Sequence, residues 1–254
     1  MGINLDNYRM TFDYHTHTIF SHGTIRPHGK GTMEQNVQAA IACGLSELAI
    51  SDHGPGHMFY GIRRDDIPVM RRQLTELQKK YPEIKLYLSV EANIVNNGKN
   101  NLDVSLREAD QFDFLIAGYH FGTRQSHMTG NWMAAHGAAG KGTRSRLYDA
   151  NTEMNVKAVL ENDLKILTHP GDKGDLDMAE VAKACARKGT WMEISTWHTH
   201  LTVEEIRICM REDVSFVISS DAHTPDRVGS FRGGLERAAE AGLDLDRIVN
   251  IRQI

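Results

Sequence analysis

The chain has 254 residues, 41 % of them apolar and 24 % charged, with a net charge of −4. That is enough for a large buried core, and the acidic balance excludes the broad basic footprint of a nucleic-acid binder. No run of about 18 apolar residues is present to span a membrane, and the opening MGINLDNYRM lacks the apolar stretch of a signal peptide, so a cytoplasmic location is expected.

In chain order, short β-branched and apolar runs at 10–14, 47–51, 85–90, 114–118, 165–168, 191–195 and 215–219 read as strands. Amphipathic stretches at 32–43, 65–80, 144–162, 178–188, 203–211 and 234–241 read as helices between them. Thr32 is placed as an N-cap, with Gly44 closing that helix. Ile67, Met70, Leu74 and Leu77 recur on one helical face. The Gly- and His-rich segment 121–141 reads as a long loop. Strand–helix alternation predicts a parallel sheet covered by helices, an α/β fold. Seven units suggest a closed or distorted barrel over a single domain, 1–254, with an open doubly wound sheet as the competitor. Cys43, Cys185 and Cys209 lack metal-type spacing and read as buried reduced thiols.

Each strand runs into a metal-type residue. The first leads to Asp13-Tyr14-His15-Thr16-His17 and Ser21-His22, the second to Ser51-Asp52-His53-Gly54, and the third to Glu91. The fourth leads to His120, the fifth to His169, the sixth to Glu193 and the seventh to Asp221-Ala222-His223. In a parallel α/β fold the carboxyl ends of the strands share one face, so these residues are expected to converge. Imidazole and carboxylate donors suit Zn, Mn or Fe, and so many buried polar groups would be costly without a metal.

These motifs resemble those of the PHP family (polymerase and histidinol phosphatase). The resemblance is carried by DYHTH, SDHG, the His of GYHFG and SDAH, with the Glu of VEAN and the His of THPG, from about Thr11 to Gly234. It implies a distorted (βα)7 barrel of TIM-barrel type with a trinuclear centre. Carried over, His15, His17, Glu91 and Asp221 would hold one ion. Glu91, His120 and His169 would hold a second, and His22, His53 and His223 a third. His22, five residues after the HxH pair, fits the family spacing and is preferred to His28, eleven residues on.

The expected activity is that of a phosphomonoesterase, histidinol-phosphatase-like, using two or three divalent ions on a small phosphorylated metabolite. A metal-bridging hydroxide would attack phosphorus, with Asp221, Glu91 and His223 as catalytic candidates. Arg63, Arg124, Lys173 and Arg227 are candidates for gripping phosphate, and His57 and His200 for lining the pocket. Arg64 and Arg232 join the cation candidates and Tyr60 and His198 the lining candidates, and Asp13, Asp52 and Glu193 are candidate orienters of ligand imidazoles. A phosphodiesterase or 3′–5′ exonuclease and an amidohydrolase remain as alternatives. A nucleic-acid partner fits the charge poorly.

Overall fold

The computed structural model describes residues 4–96 and 100–254. It is an α/β fold with parallel sheets and, among the described residues, eight α-helices. The strands are β1 (Tyr8–Met10), β2 (Phe12–Asp13), β3 (Glu47–Ile50), β4 (Lys85–Leu88), β5 (Glu91–Asn93), β6 (Leu115–Gly118), β7 (Leu164–Leu167), β8 (Trp191–Ser195), β9 (Phe216–Ser219) and β10 (Ile251–Gln253). The helices are α1 (Met33–Ala42), α2 (Ile67–Lys80), α3 (Leu106–Ala109), α4 (Met128–Ala135), α5 (Lys141–Glu161), α6 (Met178–Lys188), α7 (Val203–Cys209) and α8 (Arg232–Ala241). None is long and apolar enough to cross a membrane.

β2-β3-β4 form one parallel sheet and β5-β6-β7-β8-β9 another, while β1 and β10 pair antiparallel and bring the described chain ends together. The third expected strand is therefore two pieces, β4 and β5, separated by Ser89 and Val90. A bridge between His53 and Glu91 joins the two parallel sheets there, and one between Thr16 and Ala222 joins the ends that follow β2 and β9.

The helices start where their caps dictate. Thr32 accepts from Gln35 N and Gln35 reaches back to Thr32 N, a reciprocal capping box that opens α1; Thr202 and Glu205 do the same for α7. Segment 121–141 is not a loop throughout, because it contains α4. That helix lacks an apolar stripe and is held by a buried Asn131, which hydrogen-bonds Tyr119 Oη at 3.1 Å and Asn151, a contact invisible to periodicity. Cys185 and Cys209 are buried and free as expected; Cys43 is free but exposed, since it caps the C-terminus of α1 at the surface.

Two apolar layers lie on opposite sides of the strands. One is the main core, in which Leu48, Ile50, Leu88, Leu167, Ile194 and Ile218 pack against helix residues such as Val37, Met70, Met154 and Leu235. The other is a separate cluster of Tyr14, Ala49, Ile116, Ile166 and Val217, flanked by Phe12, Tyr87, Phe114 and Trp191. It takes residues of alternate parity from β2, β3, β4, β6, β7, β8 and β9. Side chains two apart on a strand share a face. Following that parity toward the carboxyl ends, Ala49 is succeeded by Ser51 and His53, Tyr87 by Ser89 and Glu91, Ile116 by Gly118 and His120, Trp191 by Glu193, and Val217 by Ser219 and Asp221.

Candidate metal centre

The inward face thus changes from apolar to polar and ends in a ring of donors. Glu91 is the hub. Its carboxylate lies 2.9 Å from His53 Nδ1, 2.9 Å from His169 Nε2, 3.2 Å from His120 Nε2, 3.3 Å from His15 Nε2 and 3.7 Å from His17 Nε2. Asp221 is a second hub, 3.1 Å from His17, 3.2 Å from His198, 3.5 Å from His15 and 3.6 Å from His223. His15, His17 and Glu91 are fully buried, and His53, His120, His169, Asp221 and His223 are nearly so. His169 and Asp221 take positive φ, 27° and 49°, a conformation uncommon outside glycine. It turns each side chain where its strand ends. Close approach also governs Gly118. A Cβ there would stand 2.2 Å from Thr168 Oγ1, 2.9 Å from His169 Cε1 and 3.1 Å from Glu91 Oε1, so a side chain would displace the hub.

A layer of partners aims the imidazoles. His15 Nδ1 donates to Glu193 at 2.6 Å, and Glu193 also accepts from His169 N at 2.8 Å. His120 Nδ1 donates to Asn93 Oδ1 at 2.9 Å. When each ring is neutral, the proton on Nδ1 leaves Nε2 with a free lone pair facing Glu91. Asp13 and Asp52, expected as orienters of rings, act on backbone instead. Asp13 accepts from Ser220 N and Gly229 N, and Asp52 accepts from the backbone N and hydroxyl of both Thr18 and Ser21. They brace the loops that carry the ligands.

Charge in the cluster follows from crowding and burial. Burial opposes ionisation of Glu91, but His120 and His15 outweigh it and hold the carboxyl well below its ordinary pKa. Asp221 is held down in the same way by His15, His17, His198 and His223 against its burial. Burial, with His223 nearby, pushes His17 down to about 3, and burial with His17 pushes His53 well down. These rings are therefore neutral, the form that binds metal. His15 is the exception: burial disfavours its charge, but Glu91, Asp221 and Glu193 pull it well above the usual value.

A metal fits what these residues leave unsatisfied. His15 Nε2, His17 Nδ1, both nitrogens of His53, Glu91 Oε2, His169 Nδ1 and His223 Nε2 are buried without an aligned hydrogen-bond partner. Orphaned buried polar atoms are rare and costly. Donor atoms of His15, His17 and Asp221, of His17, His53 and His223, and of His53, Glu91 and His120 fall within 4.8 Å of one another in each group.

The placement corrects several expectations. His22 is not in the cluster: its Nε2 pairs with Asp66 at 2.8 Å. His28 instead comes near the cluster, its ring 4.5 Å from that of His223 and 5.6 Å from that of His53. Segment 23–28 folds back so that His28 N donates to Ser21 O, which local spacing could not reveal. In the second HxH pair, His200 bonds Glu205 at 3.0 Å, outside the cluster. His198, the other member of the pair, stands between Asp172 and Asp221, its ring 4.6 Å from that of His169. Asp172 was unforeseen. It completes a fourth donor group with His169 and His198, and its only sequence signal is its place just after the His169 turn.

His57 is buried and structural: Nε2 donates to Phe121 O at 2.7 Å and its ring stacks on Tyr60 at 3.6 Å. Arg63 and Arg124 are exposed, and neither lines the cavity over the cluster. Lys173 pairs with Asp172, and Arg64 with Glu108. Arg232 pairs with Asp6 and Glu236 on the surface. Arg227 packs its guanidinium 5.1 Å from the ring centre of Trp197.

The PHP domain family matches residues 13–201, which include the donors from His15 to His169. YcdX of Shigella flexneri, described as a probable phosphatase, is 25 % identical over 253 residues, covering 94 % of this chain and 89 % of that protein. A probable phosphatase of Proteus mirabilis is 26 % identical over 249 residues, with the same coverage of 94 % and 89 %. Among solved structures, histidinol phosphate phosphatase of Lactococcus lactis, complexed with zinc, L-histidinol and phosphate, superposes with a TM-score of 0.57. It is 17 % identical and covers 92 % of this chain and 95 % of that one, a likeness of fold. The match extends over most of the sequence and takes in the Glu91 hub: the chain belongs to the PHP domain family.

Proposed function

We propose that this chain is a metal-dependent phosphomonoesterase acting on a small phosphorylated metabolite, built as a single domain. The observation that carries the reading is one buried carboxylate, Glu91, ringed within 4 Å by five imidazoles, in a chain of the PHP domain family. The curated relatives, described as probable phosphatases, point the same way. The bridges Thr16–Ala222 and His53–Glu91 support closure of the strands into a distorted seven-stranded barrel, with β4 and β5 as one interrupted strand.

His15, His17, Glu91 and Asp221 would hold one divalent ion, and Glu91, His120 and His169 a second. His53 and His223, with His28 in place of His22, would hold a third. When bound, such ions supply positive charge that polarises phosphate oxygens and eases deprotonation of water. Glu193 keeps the His15 proton on Nδ1, and Asn93 does the same for His120. His198 Nε2 faces Asp221 Oδ2 while Asp172 holds its Nδ1, fixing the orientation of the Asp221 carboxylate. Burial of the hub keeps bulk water from competing for these contacts.

The test is phosphate release from a panel of phosphomonoesters by protein loaded with Mn or Zn. Turnover that disappears in Glu91→Gln supports the reading. Shortening of labelled single-stranded DNA, or ammonia release from cyclic amides, with no phosphate released from the panel would replace it.

A further inference from the structure

We propose that the cavity over the cluster selects phosphate esters whose alcohol carries a planar ring and a second negative charge, and disfavours those whose alcohol carries an amine. The inference rests on the phosphatase reading and specifies its substrate. The cavity has a volume of about 500 Å³, and its lining includes Arg26, His28, Lys30, Phe59, Trp197 and His223. Since His223 belongs to a donor group and the His28 ring lies 4.5 Å from it, the cavity opens directly on the place where a phosphate would sit.

Its walls are aromatic. Phe59 and Trp197 are each 52 % exposed, unusual for large rings that could have joined the core. Both are held in place. The Trp197 ring lies 5.5 Å from that of His223, with the Arg227 guanidinium against it. The Phe59 ring lies 6.0 Å from the buried His57, which also stacks on Tyr60, and Tyr60 stacks in turn on His28 at 4.1 Å. These are positioned surfaces for stacking.

The charge of the lining has one sign. Arg26 and Lys30 are its formal charges, and no carboxylate is among the lining residues. Both cations are exposed, and neither has an ion-pair partner among the described residues. They sit on the segment that carries His28, and Lys30 N donates to His223 O at 2.8 Å, which ties the cations to the donor cluster. A carboxylate or second phosphate on the leaving alcohol would meet two opposite charges there, and an ammonium two like ones. L-Histidinol, the alcohol bound in the Lactococcus lactis structure, carries an amine and is the kind of leaving group this cavity disfavours.

The experiment uses the full chain loaded with Mn and four esters of alcohols of similar leaving ability: 4-carboxybenzyl, benzyl, 4-aminomethylbenzyl and n-propyl phosphate. Expected is a kcat/KM for the carboxybenzyl ester about tenfold or more above that for the aminomethylbenzyl ester. Trp197→Ala should lower the benzyl-to-propyl ratio about tenfold. The double variant Arg26→Ala/Lys30→Ala should bring the carboxyl-to-amine ratio near one. Equal rates for the four esters, a preference for the amine, or ratios unmoved by the variants would overturn the inference and leave the phosphatase reading standing. If no ester releases phosphate, the phosphatase reading fails. Calorimetric binding of 4-carboxybenzylphosphonate, weakened by the double variant, then upholds the pocket, and its absence removes that too.

Discussion

The two ends of the same strands make opposite use of one face. At the amino ends the inward positions are Tyr14, Ala49, Ile116, Ile166 and Val217, packed dry. Four residues on from Ala49, Tyr87, Ile116 and Val217, the same face presents His53, Glu91, His120 and Asp221, and buried atoms of His53 and Glu91 there lack partners. The first end gains free energy by leaving water, about 1.5–3 kcal/mol per large side chain. The second gives up stability to keep lone pairs available for a ligand. One end therefore holds the fold, and the other is built for chemistry.

Substitutions at the two ends should separate these roles. The largest effect is expected from Glu91→Gln, which should cut turnover about a thousandfold or more. Its metal-free melting temperature should change little; a collapse of the fold would show that the hub is structural. At the other end, Ile166→Ala should cost about 2–5 kcal/mol of stability, read from the denaturant midpoint. The fraction that stays folded should still bind metal and turn over; lost metal binding there would merge the two regions.

Between them lies Glu193→Gln, which removes the carboxylate that aims His15 and His169. Metal affinity should fall about 10–100-fold, measured by competition with a chelator, and unchanged affinity would remove Glu193 from the centre. A sharper comparison is His28→Ala against His22→Ala. The first should lower the number of ions retained per chain in elemental analysis, and the second should leave it unchanged. The reverse result would restore the spacing rule over the folded geometry.

The smallest effect belongs to a surface pair. Burial works against the Glu108 charge, but Arg64 and Ser105 pull its pKa down to about 2 from 4.5. A depressed carboxyl pKa stabilises the fold above the unfolded value of 4.5, and that gain is lost as pH falls through 2. Solvent screening keeps it below about 1 kcal/mol. Glu108→Gln should flatten the stability curve between pH 4.5 and 2; an unchanged slope would assign acid sensitivity to the donor cluster instead.

Much of the donor set was legible because strand parity and chain direction are local. A residue at the carboxyl end of a parallel strand needs no further information to be assigned to the shared face, which is how His15, His17, His53, Glu91, His120, His169, Asp221 and His223 were found. Residues on irregular segments escaped that logic. In HTH after β8, an extended backbone would send His198 and His200 to the same side, but the chain bends there, and only His198 enters the cluster. Arg63, Arg124 and Lys173 followed strands closely in sequence, yet proximity along the chain did not bring them into the cavity.

The amino-acid sequence alone determined the alternation of strands and helices, the parallel arrangement and the eight donors at strand ends, since each depends on periodicity or on direction along a strand. The approach of His28 rather than His22 to the cluster, the entry of His198 and Asp172, the helix inside 121–141 and the cation-bearing aromatic cavity were decided by the tertiary structure. Each depends on where a loop lands relative to distant elements, and that is set by long-range packing and backbone hydrogen bonds that no local window of residues contains.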